Sequence, residues 1–105
     1  MRRLFSVVVV IAFSLVLSGC AVGASSGQEV HISDSGFNPA QVTVKTGGKV
    51  TWTNDGAAAH TVTTNEVDSG GLSPSKTYSR TFDTAGTYDY ICRYHPTETG
   101  TVVVR

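Results

Sequence analysis

From residue 29 onward, no stretch of this 105-residue chain repeats apolar residues every three or four positions over three helical turns. Instead, short runs of β-branched and aromatic residues alternate with polar ones and stop at small residues, and this pattern most restricts the possible fold. Val42-Thr43-Val44 and Val50-Thr51-Trp52-Thr53 alternate in this way, with Thr46-Gly47-Gly48 between them as a hairpin turn signal. Residues 60–64 (HTVTT) are β-branched, and residues 76–82 and 87–92 flank a second turn, Thr84-Ala85-Gly86. Residues 29–32 open the series, residues 101–104 close it, and residues 66–75, rich in Gly, Ser and Pro, form a loop. The expected fold is all-β, a Greek-key β-sandwich of seven to eight strands. With a side-chain period of two, Val50, Trp52 and Asn54 share one strand face, and so do Tyr88, Tyr90 and Cys92. Phe37, Trp52, Phe82 and one or more tyrosines are then core, and Cys92 points inward at one end of the sandwich.

The N-terminus places this domain outside the cytoplasm. Residues 1–19 hold two arginines, Arg2 and Arg3, then a run from 4 to 17 that is apolar except for two serines. That is the three-part plan of an export signal. Its fourteen residues fall short of the roughly twenty that span a bilayer as a helix. Leu17-Ser18-Gly19-Cys20 resembles the lipobox of bacterial lipoproteins, in which cleavage precedes the cysteine and its sulfur is acylated. Cys20 is thus the expected lipid site, residues 20–28 a lipidated start with a flexible tether, and residues 29–105 the folded domain. Without Arg2 and Arg3, six basic side chains face eight acidic ones, a formal balance of −2. No basic cluster exists to attract nucleic acid.

Anchoring through Cys20 leaves Cys92 without a disulfide partner. A free thiol in an oxidising compartment is a liability unless it is buried or coordinated. The stretch YDYICRYHPTETG, residues 88–100, offers a coordinating partner in His95, and the loop from 93 to 99 must turn back before the last strand. His60 opens another strand after the small residues 56–59. A thiolate and two imidazoles form a trigonal His2Cys set of the kind that holds copper in blue-copper centres. His31 belongs to no such motif and reads as a plain strand residue, while Glu66 and Asp68 read as variable-loop residues.

From Gly36 onward the chain resembles small cupredoxins of the plastocyanin, amicyanin and pseudoazurin type. The resemblance runs through GFNPAQVTVKTGGKVTWTN, AAHTVTT, AGTYDYICRYHP and GTVVV. It implies one mononuclear copper at the tip of the sandwich and one-electron transfer, with His60, Cys92 and His95 as ligands. Asn54 and Thr61 stand where the family braces its copper loop, Thr61 replacing a frequent asparagine. One position departs: where the family motif has a methionine as weak axial ligand, this chain has Glu98. The only methionine is Met1, lost with the signal. Either Glu98 is the axial donor, or it is a solvated loop residue and the position falls to a backbone carbonyl or water.

The leading functional expectation is a membrane-tethered electron carrier, a monomer facing the periplasm or cell exterior and meeting redox partner proteins transiently. Copper storage or delivery is the alternative, weakened because the mature chain has none of the methionines that Cu(I) traffickers commonly display. A Cys–His pair is also the unit of nucleophilic catalysis, but nothing here suggests an oxyanion loop or an orienting acid, so no enzymatic activity is expected. Zn²⁺ tolerates the same donors, and only the resemblance favours copper.

Overall fold

Residues 24–105 are described by a computed structural model. The expected signal segment, Cys20 and the first residues of the tether lie outside the described residues. Six strands follow in order: β1 (Ser25–Ser33), β2 (Gly36–Asn38), β3 (Gln41–Asn54), β4 (Thr77–Phe82), β5 (Gly86–Ile91) and β6 (Thr99–Val104). No helix occurs among the described residues, so the all-β expectation holds. Residues 60–64 form no named strand; isolated bridges join His60 to Leu72 and Thr63 to both Asp68 and Ile91. The segment divides its pairing among several partners; its loss as a strand, the merging of two expected strands into β3 and the addition of β2 give six strands, in keeping with the expected sandwich.

The hairpin expected at residues 46–48 is also absent, because β3 runs straight through it. Its first half pairs in parallel with β6, from Gln41↔Thr101 to Val44↔Val104. Its second half lies between β1, in parallel, and β4, antiparallel. Gly47 has φ +89°, and a Cβ on Gly48 would lie 2.8 Å from the Lys45 carbonyl oxygen and 3.0 Å from Val44 Cβ. The glycines thus make a bend that lets one strand serve both layers of a sandwich, a device side chains would block. Period-two burial continues across the bend, with Val42, Val44, Val50, Trp52 and Asn54 all buried. Strand β1 starts four residues earlier than expected. Gly27 and Gln28 pair with Lys49 and Val50, so residues 25–28 are strand and not tether: backbone pairing outweighs their small polar composition.

Aromatic side chains join the layers. Tyr90 of β5 meets Trp52 of β3 edge-on at 5.4 Å between ring centroids and Phe37 of β2 at 4.7 Å. Such pairs contribute about 0.5–1.5 kcal/mol each beyond area burial. Tyr90 and Cys92 are buried, as their shared face implies, and Tyr88 packs partly buried against the core near Phe82. Burial also pushes the Tyr90 phenol up to about 12. Gly100, opposite Tyr90 in the β5–β6 ladder, leaves space for that ring, because a Cβ there would overlap the phenol carbon and oxygen. Gly100→Ala therefore overpacks the core and should cost about 1–3 kcal/mol. For a domain this small, a thermal melt should show a fall of about 4–8 °C per kcal/mol, and an unchanged melt would refute the packing account.

Candidate metal centre

Two turns in series build half of the site. Cys92 follows β5 directly, and the chain then folds back on itself: the His95 N–H donates to the Cys92 carbonyl (3.1 Å) and the Glu98 N–H to the His95 carbonyl (2.8 Å). The Cys92 N–H closes the loop on the Glu98 carbonyl at 3.0 Å. Each turn spans four residues and shares His95 with the other, and side chains 92, 95 and 98 gather on one side before β6 begins. His60 arrives from a separate loop, anchored by paired backbone hydrogen bonds with Leu72 (3.1 and 2.8 Å).

These four residues converge. One donor atom from each of His60, Cys92, His95 and Glu98 lies within 4.8 Å of all the others. Cys92 Sγ is 3.7 Å from His60 Nδ1 and 3.5 Å from His95 Nδ1. Glu98 Oε1 is 3.0 Å from His60 Nδ1 and 3.5 Å from His95 Nδ1. Metal bonds of 2.0–2.3 Å set tetrahedral donors about 3.3–3.8 Å apart, so the spacing fits a single small cation. The chemistry fits as well: one thiolate, two imidazoles and one oxygen suit copper, and also zinc. Glu98 does not project into solvent. Its side chain is 10% exposed, against 42% for His95 and 0% for His60.

Hydrogen bonds from the surrounding loops hold this geometry. Thr61 donates its N–H to Cys92 Sγ (3.4 Å), and its Oγ1 accepts the Arg93 N–H (2.7 Å). Asn54 is buried at the end of β3 and donates to the carbonyls of Ala58 and Leu72, both at 2.8 Å. Its Oδ1 accepts the Gly56 N–H at 2.8 Å, so one side chain ties together both ends of the His60 loop. Burial raises the Cys92 thiol, but the Thr61 N–H and the His95 and His60 imidazoles outweigh it and bring it down to about 7. Burial likewise works against charge on His60, yet hydrogen bonds to Asp34 and Cys92 and the nearby Glu98 raise it above the usual imidazole value. The cluster favours thiolate and positive charge together, the electrostatic state that a bound cation sustains.

Other residues stand apart from the centre. His31 is exposed on β1 and pairs with Asp55 at 2.6 Å. Asp68 pairs with Arg93 at 2.9 Å, and Glu66 is exposed in the loop. Asp34, by contrast, is missing from the expected set and touches the site, with Oδ1 3.1 Å from His60 Nε2. In the sequence it looks like part of an ordinary turn, Ser33-Asp34-Ser35-Gly36, and nothing in its spacing links it to a histidine 26 residues on.

Comparison with known proteins agrees with this architecture. Residues 6–104 match the family model of the cupredoxin-like domain. The chain is 38% identical to chloroplastic plastocyanin of Tetradesmus obliquus over 104 residues, covering 84% of this chain and 68% of the relative. It is 41% identical to amicyanin-alpha of Methylorubrum extorquens over 83 residues, 72% of this chain and 70% of the relative. Among solved structures, a reduced Cu(I) form of an amicyanin variant superposes with a TM-score of 0.71 at 34% identity, over 82% of this chain and 86% of that one. A purple cupredoxin from Nitrosopumilus maritimus shares the fold, with a TM-score of 0.70 at 24% identity over 73% of this chain and 98% of that one. Sandwich, tip cluster and sequence likeness together make this chain a member of the cupredoxin family, close to plastocyanin and amicyanin.

Proposed function

We propose that the protein is a one-electron carrier that holds a single copper ion through His60, Cys92 and His95, with Glu98 as axial donor, and is tethered to the membrane by a lipid on Cys20. The convergence of four donor atoms within 4.8 Å at one tip of the sandwich carries the reading. When bound, copper supplies a Cu(II)/Cu(I) couple. The protein's part is to keep the donors in nearly one arrangement for both states, since rearrangement slows electron transfer. The two turns through residues 92–98, the Thr61 contact to Sγ and the Asn54 bracing of the His60 loop serve that end.

His95 is the electron port, because it is the most exposed of the four side chains. The exposed Ala57, Ala58, Ala59 and Pro96 supply a small apolar rim suited to brief docking of redox partner proteins. Complete burial of Cys92 and His60 favours an electron carrier over a protein that hands its metal on. The axial role of Glu98 rests on its shelter and on Oε1 lying within 3.5 Å of both Nδ1 atoms. Export by residues 1–19 and lipidation of Cys20 would place the domain outside the cytoplasmic membrane.

Three measurements test this reading. Copper-loaded protein should show an intense visible sulfur-to-copper band that bleaches on reduction and is absent in Cys92→Ser, because a serine oxygen cannot replace the soft thiolate. Colourless stoichiometric Cu(II) binding by the wild type would refute the thiolate ligand. Glu98→Met should raise the reduction potential, since a thioether favours Cu(I) where a carboxylate favours Cu(II). Glu98→Gln should also raise it by removing the charge, and wild-type potentials and spectra in both variants would exclude Glu98 from the metal. Finally, Cys20→Ala should move the protein from the membrane to the soluble fraction, because an acyl chain supplies about 0.8 kcal/mol per buried methylene. Persistent membrane association of that variant would contradict the lipid anchor.

A further inference from the structure

We propose that Asp34 is a positioning residue for the copper site: its carboxylate accepts the His60 Nε2–H, leaves Nδ1 free for the metal, and biases the bound ion toward Cu(II). The inference rests on the reading of His60 as a copper ligand and extends it to a residue from another part of the chain.

The geometry is that of a built clamp. Asp34 sits in the turn between β1 and β2, across from the loop that leads into His60. Its Oδ1 accepts from His60 Nε2 at 3.1 Å and from the Ala58 N–H at 3.0 Å, while Oδ2 accepts from the Ala57 N–H at 3.0 Å. Both oxygens are therefore used, two of the three bonds to backbone and one to an imidazole with no solvent exposure. Gly56 supplies the space, since a Cβ there would overlap Oδ1 and come within 3.0 Å of the carboxylate carbon. Donors from Ala57, His60 and Ala58 hold the carboxyl down to about 2, so it is anionic at neutral pH.

Two consequences follow for the metal. An imidazole that donates one ring N–H to a carboxylate has its tautomer and ring orientation set, and its other nitrogen becomes a stronger donor. The nearby negative charge also favours the more highly charged ion. Both effects favour Cu(II) over Cu(I). Because the Asp34 side chain is half exposed, solvent screens its charge and the bias is limited.

The experiment compares Asp34→Asn, Asp34→Ala and Gly56→Ala with the wild type, with circular dichroism of the metal-free forms as the check on folding. Asp34→Asn keeps an oxygen acceptor of the same reach and drops the charge, so the copper protein should keep its visible band. Its preference for Cu(II) should fall about tenfold, read as a rise of about 59 mV in the one-electron potential. Asp34→Ala and Gly56→Ala should raise the potential too. Asp34→Ala should also abolish the slowly exchanging His60 Nε2–H resonance, which ¹⁵N NMR should show in both the metal-free and Cu(I) wild type. Wild-type potentials in both Asp34 variants, or a wild-type His60 without a protected Nε2–H, would overturn the proposal. A wild type lacking the thiolate band would instead defeat the copper reading, and the metal-free NMR comparison would still decide whether Asp34 positions His60.

Discussion

The packing of Tyr90 between Trp52 and Phe37 is the contact on which the rest of this molecule depends. It joins β5, at one end of the strand order, to β2 at the other end and to the second half of β3. Because strand side chains alternate, an inward Tyr90 forces Cys92, two residues on, to point inward as well. The core contact thus delivers a buried thiol to the tip of the sandwich. Gly100 belongs to the same arrangement: it admits the Tyr90 ring across the ladder, and β6, which carries it, starts one residue after Glu98. Core packing and site geometry share the same few positions. The contact has a cost, since the buried Trp52 Nε1 and Tyr90 Oη make no well-formed hydrogen bond among the described residues, and the indole only partly offsets the upward push of burial on the phenol. Their aromatic contacts offset part of that cost.

Much of this was legible in the sequence because it depends on local periodicity. The alternation in residues 42–54 marks the buried face of β3, and three-residue spacing marks Cys92, His95 and Glu98 as neighbours on one loop. What periodicity cannot express is which partner a strand takes. Thr46-Gly47-Gly48 satisfies the chemistry of a hairpin turn and of a bend inside one strand equally well. The choice falls to pairing with β6 on one side of the bend and with β1 and β4 on the other. Residues 60–64 fail as a strand for a related reason, since their partners come from more than one segment. The start of β1 was hidden too, because Ser25 to Gln28 have the composition of a linker and become strand only through the backbone of β3. Asp34 was beyond reach altogether, being joined to His60 only by the fold.

In the proposed copper site, the question is why a hard carboxylate can stand where the motif of the family it resembles has a soft sulfur. Charge around the metal gives a consistent answer. Cys92 as thiolate and Glu98 and Asp34 as carboxylates place three formal negative charges on or one hydrogen bond from the donor set, and no lysine or arginine makes a salt bridge to either carboxylate among the described residues. Against a dipositive ion in the proposed site that leaves one net negative charge and against a monopositive ion two, with the charges of Cys92 and Glu98 largely cut off from solvent and that of half-exposed Asp34 partly screened. Such an excess is costlier where water cannot screen it, so the oxidised state gains. The two acidic residues act from opposite sides of one imidazole, Glu98 near Nδ1 and Asp34 on Nε2. In the proposed site they would act on the metal by different routes, one as a donor and one through the ring, with effects of the same sign. In the proposed copper protein, replacing the soft axial donor is then one part of a site biased throughout toward giving its electron away.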